Sequence, residues 1–253
     1  MNDRDPDPRL EHDHHPESIR ARVDGAGGGH GYLSHGVLGA MDGSITTFTI
    51  VAGAVGGGLA GSVVVILGVA KVVADALSMA ASNYLSARSE AQQVHRAWNM
   101  ERRHIEATPE GERDELREIF RRKGLAGTTL EQVVDALSDD RDVWIDTMLK
   151  EELHLATRPA EPARAAAATF VAFLAVGFVP LLPFLVGPAS PTQAFLLSAV
   201  ITAMTFVGVG LVRGRALAVS PWRSVIETLS TGTLAAAVAY VIGAWLRQAL
   251  GIG

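Results

Sequence analysis

Three charged side chains lie inside long apolar runs of this chain, where a charge is costly unless it faces a cavity, a partner or a cation. Asp42 stands in the first run, and Lys71 and Asp75 lie one helical turn apart in the second. Met79 follows on the same face, and its sulfur beside two carboxylates is a soft ligand for Fe²⁺ or a similar divalent ion. We therefore predict a cation path formed by Asp42, Lys71, Asp75 and Met79. The alternatives are that Asp42 reaches the headgroups, that the Lys71–Asp75 pair is structural and that Met79 only packs.

A second group of potential metal ligands lies in the charged segment between the second and third apolar runs. Its members form pairs at i, i+3 or i, i+4 spacing, so each pair shares one helix face. The pairs are Glu101 with His104, Glu112 with Glu115, and Met148 with Glu152. Glu-x-x-His is the spacing that carboxylate-bridged iron proteins use on helices. Three helices that each present one pair could enclose several cations, although such charge is also typical of a solvated face paired with arginine.

Composition and motifs exclude several classes of protein. The chain has no cysteine, which excludes disulfides, thiolate zinc sites and a cysteine nucleophile. Its net charge is −5 and it has no basic stripe, so we expect no nucleic-acid partner. It also contains no Gly-x-Ser-x-Gly elbow, no His-Glu-x-x-His helix and no phosphate loop. We therefore predict that the chain is not an enzyme.

The elements that must position these residues are long apolar helices. Five runs are nearly or wholly free of charge, and each is long enough to cross a hydrocarbon core. They cover residues 36–60, 62–84, 165–187, 192–212 and 228–246. The runs lack the alternation of a membrane β-barrel. The predicted fold is an all-α integral membrane protein with five transmembrane helices, whose first partner is the lipid bilayer.

The remaining segments are polar. Residues 1–34 show no apolar period and predict a disordered tail, in which His12, His14 and His15 could also bind transition metals loosely. Residues 86–163 predict a domain of three helices, inserted between spans two and three. These helices stand on a helix that continues from span two. The first begins at Thr108-Pro109, the second at a capping box at Thr128–Glu131, and the third has an apolar stripe that begins with Val143, Trp144 and Met148 and ends before Pro159. The predicted domains are therefore 1–34, 35–85 with spans one and two, 86–163, and 164–250 with spans three to five.

The placement of Arg and Lys predicts the orientation in the membrane. Basic residues concentrate in the tail, in 86–163 and in the loop 213–223, whereas the turns near residues 58 and 187–191 carry none. By the positive-inside rule, the N-terminus and 86–163 are cytoplasmic, and the C-terminus lies outside. The membrane is the plasma membrane if the host is bacterial and a vacuole-like membrane if it is eukaryotic.

Three motifs resemble the vacuolar iron transporter family. Asp42-Gly43-Ser44-Ile45-Thr46-Thr47-Phe48, followed by Val51-Ala52-Gly53, resembles its first span. The stretch 76–85, with the sequence ALSMAASNYL, resembles its second span, and 178–183, with the sequence FVPLLP, its third. The likeness extends over nearly the whole chain from residue 33 onward. Together the three motifs are specific for this family, whereas each alone is weak evidence for it.

The resemblance implies a homodimer of five-span subunits that exports Fe²⁺ or Mn²⁺ from the cytosol in exchange for protons. It places the translocation path between the first two spans of the two subunits, with Asp42 and Met79 as the intramembrane ligands. It also implies that the cytoplasmic domain binds metal through glutamates and a methionine. Those positions fall on Glu101, Glu112, Glu115, Met148 and Glu152.

This sequence departs from the family pattern at two ligand positions. Lys71 stands where iron-transporting members have an acidic residue, and Asp75 restores a carboxylate one turn later. His104 stands at a glutamate position, and its imidazole binds Fe²⁺, Mn²⁺ and Zn²⁺, so the domain also suits Zn²⁺. Our hypothesis is a proton-coupled divalent-metal transporter. The alternatives are a membrane-anchored metal buffer or sensor without transport, and a transporter or channel for another solute.

Overall fold

A computed structural model describes residues 17, 19–20, 29–156, 159–187, 190–216 and 219–251. Within these residues the secondary structure is helical and contains no strand. The tail histidines His12, His14 and His15 lie outside the described residues. The principal helices are α1 (Gly29–Gly56), α2 (Gly61–Ala107), α3 (Pro109–Arg122), α4 (Gly127–Asp139), α5 (Arg141–Glu151), α6 (Pro162–Gly177), α7 (Leu182–Val186), α8 (Pro191–Ala216) and α9 (Pro221–Ala249).

Five helical segments of the described chain are long and apolar enough to cross a membrane, which confirms the predicted number of spans. Four are single helices, and the third combines α6 and α7 over Pro162–Val186. Helix α9 begins at Pro221, earlier than the predicted start at residue 228. The predicted loop 213–223 is shorter, because α8 continues to Ala216.

The third span contains a short 3₁₀ turn at Val179–Leu181, between α6 and α7. Pro180 and Pro183 lack the backbone N–H that a continuous α-helix requires, which explains the interruption. The Ser198 hydroxyl on α8 donates a hydrogen bond of 2.6 Å to the Pro180 carbonyl. The carbonyl at the interruption is thus satisfied by a side chain of the neighbouring span, as a buried backbone group requires.

The chain divides into two compact units, Met1–Tyr84 with Pro162–Gly253, and Leu85–Glu161. The first unit contains the apolar helices. Its core joins α1, α2 and the third span through Val51, Val72, Phe173 and Leu181. Phe48 and Phe206 form a second core cluster with Ala52 and Ala236, which joins α1 to α8 and α9.

Glycines let α1 approach two neighbouring helices so closely that their backbones are in contact. An added Cβ at Gly43 would lie 2.6 Å from the Phe173 carbonyl oxygen on α6. An added Cβ at Gly243 on α9 would lie 2.1 Å from the Gly53 carbonyl oxygen on α1. Small residues of this kind are what allow membrane helices to pack closely. The neighbour of Asp42 along the chain is therefore held directly against α6.

We expect Gly243→Val to destabilise the first unit by about 1–3 kcal/mol or more, because the added atoms overlap the backbone of α1. The thermal unfolding temperature of the detergent-purified protein measures this effect. Gly208→Ala is the matched control, since its added Cβ would meet nothing within 4 Å. Equal unfolding temperatures for the two variants would contradict the close approach of α9 to α1.

The second unit has its own hydrophobic core, contributed by the end of α2 and by α3, α4 and α5. Leu116, Val134, Ile145 and Leu149 are fully buried in it. The predicted capping box at Thr128–Glu131 is wrong, because α4 begins at Gly127 without a side-chain cap. Glu131 instead pairs with Arg117 on α3 at 3.0 Å, so an ion pair between helices takes the place of the cap.

Candidate metal site

Two glutamates and a histidine converge inside the second unit. Glu101 and His104 lie one turn apart near the end of α2, and Glu112 lies in the first turn of α3. Ligand atoms of the three residues all lie within 4.8 Å of one another. His104 Nδ1 is 3.4 Å from Glu112 Oε1. The structure thus brings together three of the predicted ligands, from two helices.

The turn between α2 and α3 explains this convergence. A single residue, Thr108, separates the two helices, and Pro109 begins α3 with the fixed φ that the first helical position favours. The Thr108 N–H donates to the His104 carbonyl at 2.7 Å, and the Glu112 N–H donates to the Thr108 carbonyl at 3.2 Å. The first turn of α3 therefore follows closely on the last turn of α2, and Glu112 reaches the Glu101–His104 face.

Both glutamates of the cluster are buried carboxylates with an unused oxygen. Glu101 is 1% exposed and Glu112 is 3% exposed. Oε2 of each is buried and accepts no hydrogen bond from the described residues. A buried carboxylate is costly unless it is paired, protonated or bound to a metal ion. A proton shared between Glu101 and Glu112 lowers this cost in the metal-free protein, and a bound cation would remove it.

The electrostatic environment opposes ionisation of these carboxyls. Burial raises the pKa of Glu101 to about 7, and the negative charges of Glu152, Glu112 and Glu115 add to the rise. Burial and the charge of Glu115 also raise the pKa of Glu112, while His104 acts in the opposite direction. Several carboxylates with elevated pKa at one place are typical of a functional site. A bound divalent cation would relieve their mutual repulsion.

The other three predicted ligands have different positions. Glu115 and Glu152 are more exposed, yet burial and the charge of Glu115 raise the pKa of Glu152, so both belong to the same electrostatic cluster. Met148 is 0% exposed and packs in the hydrophobic core of the second unit. Its role as a thioether ligand remains a prediction.

The predicted path residues lie in the first unit, on α1 and α2. Asp42 is exposed on α1, one helical turn before Thr46, and the charges of Asp75 and Lys71 both act on its carboxylate. Lys71 Nζ donates to Asp75 Oδ1, so the pair predicted from i, i+4 spacing is present. Met79 is half-buried and packs against the core of the first unit. The electrostatic coupling of Asp42 with Asp75 and Lys71 supports a shared polar region.

A polar cluster that the sequence analysis did not predict joins three spans. Asn83 on α2 lies 3.0 Å from His35 Nδ1 on α1 and donates to Thr169 Oγ1 on α6 at 2.5 Å. Thr169 is buried, and its hydroxyl donates to the Ala165 carbonyl at 3.1 Å. A polar Asn83 inside an apolar run indicates a polar contact between spans. The sequence does not show which residues are its partners, because His35 and Thr169 are 48 and 86 residues away from it.

These features define an integral membrane protein with a separate helical unit that encloses buried carboxylates. A family model described as VIT family matches residues 33–244, and the chain belongs to this family. The resemblance inferred from the three sequence motifs is thereby confirmed.

Curated relatives from plants and a parasite match most of the chain. It is 34% identical to vacuolar iron transporter 1 of Arabidopsis thaliana over 209 residues, covering 81% of this chain and 82% of that protein. It is 33% identical to vacuolar iron transporter 1 of Oryza sativa subsp. japonica, covering 90% and 88%. It is 31% identical to the vacuolar iron transporter of Toxoplasma gondii, covering 87% and 76%. These relatives are named as transporters, in agreement with the prediction that the chain is not an enzyme.

Proposed function

We propose that this protein is a proton-coupled transporter that exports Fe²⁺, Mn²⁺ or both from the cytosol. The observation that carries the proposal is the convergence of Glu101, His104 and Glu112 in a membrane protein of the VIT family. Two buried oxygens of this cluster accept no hydrogen bond from the part of the chain that the structure describes. Carboxylate and imidazole groups suit Fe²⁺ and Mn²⁺, and they also suit Zn²⁺. The names of the curated relatives favour iron as the transported substrate.

The buried cluster acts as the capture site in this proposal. Glu101, His104 and Glu112 supply ligands from α2 and α3, while Glu115 and Glu152 add negative charge nearby. Met148 completes the set that the family resemblance implies. The N-terminus and residues 86–163 are cytoplasmic in this scheme, so the site takes its ion from the cytosol. The membrane is vacuole-like in a eukaryotic host and the plasma membrane in a bacterial one.

Release of the ion depends on the intramembrane carboxylates. Asp42 and Met79 hold the ion in the path, with Asp75 close to Asp42 in the same electrostatic region. Protonation of Asp42 from the far side converts a carboxylate ligand into a neutral acid, which binds a cation poorly. The departing ion is thereby exchanged for protons. Lys71, hydrogen-bonded to Asp75, supplies a positive charge when the metal is absent.

A homodimer would cover the polar side of α1 and α2. Asp42 is exposed in the single chain, and the Lys71 side chain is 52% exposed. Charges directed at lipid are unfavourable, whereas charges that face a partner or a polar cavity are tolerated. A second copy that packs against this side would enclose the path between the subunits, as the family resemblance implies.

Uptake into proteoliposomes tests the proposal. Purified protein is reconstituted, and Fe²⁺ and Mn²⁺ are offered with and without a pH gradient. We expect uptake of at least one ion and its acceleration by a gradient that supplies protons from the opposite side. If neither ion enters under any gradient, the transport proposal is wrong.

The second candidate function is a membrane-anchored metal buffer or sensor. It is favoured by one observation, namely that the Glu101–His104–Glu112 cluster lies entirely within the second unit. This function needs no intramembrane carboxylate. Cellular metal tolerance that survives Asp42→Ala but is lost in Glu101→Gln would select the buffer over the transporter.

Metal binding by the cluster is expected to strengthen with pH up to about 7. Glu101 must lose its proton to bind a cation, and its pKa is raised to about 7. Affinity for Mn²⁺ should therefore fall by up to about tenfold per pH unit below 7 and level off above it. Calorimetric titration between pH 5.5 and 8 measures this dependence. Affinity that is constant across the whole range would contradict a protonated Glu101 in the metal-free protein.

Lys71→Glu is expected to increase the number of divalent ions bound in the path. The change removes the cation that pairs with Asp75 and adds a carboxylate close to Asp42. Bound metal per chain and the ratio of Fe²⁺ to Mn²⁺ uptake are the measurements. Lys150→Glu is the control, because it makes the same charge change at an exposed position of the second unit. Unchanged stoichiometry and selectivity would remove Lys71 from the mechanism.

A further inference from the structure

An apolar groove opens on the surface of the first unit between α1, the third span and α8. Its volume is about 490 Å³, and Tyr32, Gly36, Val176 and Val209 are among its lining residues. Gly208 lines the groove and faces open space, since an added Cβ there would meet no atom of the described residues within 4 Å. The groove lies on helices long and apolar enough to cross the membrane, so lipid acyl chains surround it.

A basic region adjoins one end of this groove. A smaller cavity of about 150 Å³ shares Val37 with it and is lined by Ser34 and Arg213. Arg213 and Arg223 both pair with Glu227, each at 3.1 Å. One carboxylate thus serves two guanidinium groups, which leaves one positive charge in excess. The end of the groove therefore carries excess positive charge.

We propose that an anionic phospholipid of the surrounding bilayer occupies this site. One acyl chain lies in the groove, and the phosphate lies at the basic end, where Arg213 and the Ser34 hydroxyl can donate hydrogen bonds to it. Basic pockets between membrane helices are a recognised mode of binding acidic headgroups. The inference rests on the location of the helices in a bilayer and not on metal transport, so the two proposals can fail separately.

The bound lipid would stabilise the beginning of α1. Tyr32, Gly36 and Ala40 line the groove on the helix that carries Asp42, and Val209 and Val212 line it on α8. An acyl chain between them replaces solvent or detergent with continuous apolar contact. The free energy of unfolding should therefore depend on the lipid supplied. A lipid that has both an acyl chain for the groove and an anionic headgroup for the basic end should stabilise the protein most.

The test compares phosphatidylglycerol with phosphatidylcholine of identical acyl chains, added to the detergent-purified full-length protein. Native mass spectrometry counts bound lipid, and thermal unfolding measures stabilisation. Gly208→Leu fills the groove, and Ala203→Leu is its control, since it adds similar bulk at an exposed position of the same helix. Arg213→Gln weakens the basic end, and Arg121→Gln removes the same charge from the second unit, where Arg121 pairs with Glu118.

We expect the native protein and both controls to retain phosphatidylglycerol in preference to phosphatidylcholine. Gly208→Leu should weaken phosphatidylglycerol binding about tenfold or more, because the acyl chain loses its buried contact. Arg213→Gln should keep lipid binding but lose the headgroup preference. Equal retention of the two lipids by the native protein would overturn the proposal, as would undiminished binding by Gly208→Leu. A change of oligomeric state in Gly208→Leu would assign the groove to a second copy instead.

Discussion

Replacement of Asp42 by asparagine is expected to reduce divalent-metal uptake into proteoliposomes at least about 100-fold, since loss of even an outer-shell partner of a metal ligand costs about 10–100-fold. Asparagine keeps the size of the side chain and one oxygen that accepts hydrogen bonds, but it cannot ionise. It therefore removes both the negative ligand and the proton acceptor that the proposed exchange requires. The Lys71–Asp75 pair is left with its charges in balance, so no second defect is introduced.

The matched control for this prediction is Glu227→Gln. It also neutralises one carboxylate of the first unit, but Glu227 pairs with Arg213 and Arg223 and takes no part in the proposed path. Metal binding by the Glu101–His104–Glu112 cluster should be unchanged in both variants. If Asp42→Asn transports at the native rate, Asp42 is not a ligand in the path. The proposed release of the ion by protonation of Asp42 would then be wrong.

Replacement of Glu101 by glutamine is expected to produce two opposite effects in the same protein. It should weaken Mn²⁺ binding by the cluster about 10-fold or more, because one charged ligand is lost. It should also raise the unfolding temperature of the metal-free protein at pH 8. A buried carboxylate with an unpartnered oxygen is costly, and neutral glutamine removes that cost. Loss of binding with a gain in stability distinguishes a metal ligand from a residue that only supports the fold.

The dependence of this stability gain on pH has a definite sign. The pKa of Glu101 is raised from 4.5 to about 7 in the folded protein. Below pH 4.5 the group is protonated in both states and ionisation costs nothing. As the pH rises from 4.5 to 7 the unfolded state loses its proton first, so the native protein is progressively destabilised, and the full penalty applies above 7.

The gain from Glu101→Gln should therefore be small near pH 4.5 and largest at pH 8. Thermal unfolding of the metal-free protein at several pH values measures it, with about 2–4 °C expected for each kcal/mol of penalty removed. Glu110→Gln is the control, since Glu110 is exposed in the first turn of α3, where its charge is favourable. A gain that is equal at all pH values would show that ionisation of Glu101 is not its cause.

The membrane helices could be predicted because their signal is local. An uncharged run of about twenty residues is by itself sufficient to cross a bilayer, whatever the rest of the chain does. The helix ends were less predictable, as the capping box at Thr128–Glu131 shows. Glu131 had two competing partners, the N-terminus of its own helix and Arg117 on α3, and only the packing of the two helices decides between them.

The candidate site could be predicted in composition but not in geometry. The spacing of Glu101 and His104 indicated a shared face, yet nothing in that spacing shows that Glu101 is 1% exposed. The approach of Glu112 depends on the one-residue turn at Thr108. The contact of His35 and Thr169 with Asn83 depends on the way three spans pack, which the periodicity of each helix does not determine.

The close glycine contacts of α1 have a mechanical consequence. Gly43 lies against the backbone of α6, and Gly53 lies against the backbone of α9 at Gly243, with no layer of side chains between them. Interlocked backbones cannot slide past one another without a clash, so α1, α6 and α9 should move as one body. Helix α2 packs on this body through side chains, such as Val72 against the core that contains Val51. We therefore expect α2 to be the helix that moves during ion passage. Asp42 lies on α1, which belongs to the body that stays fixed.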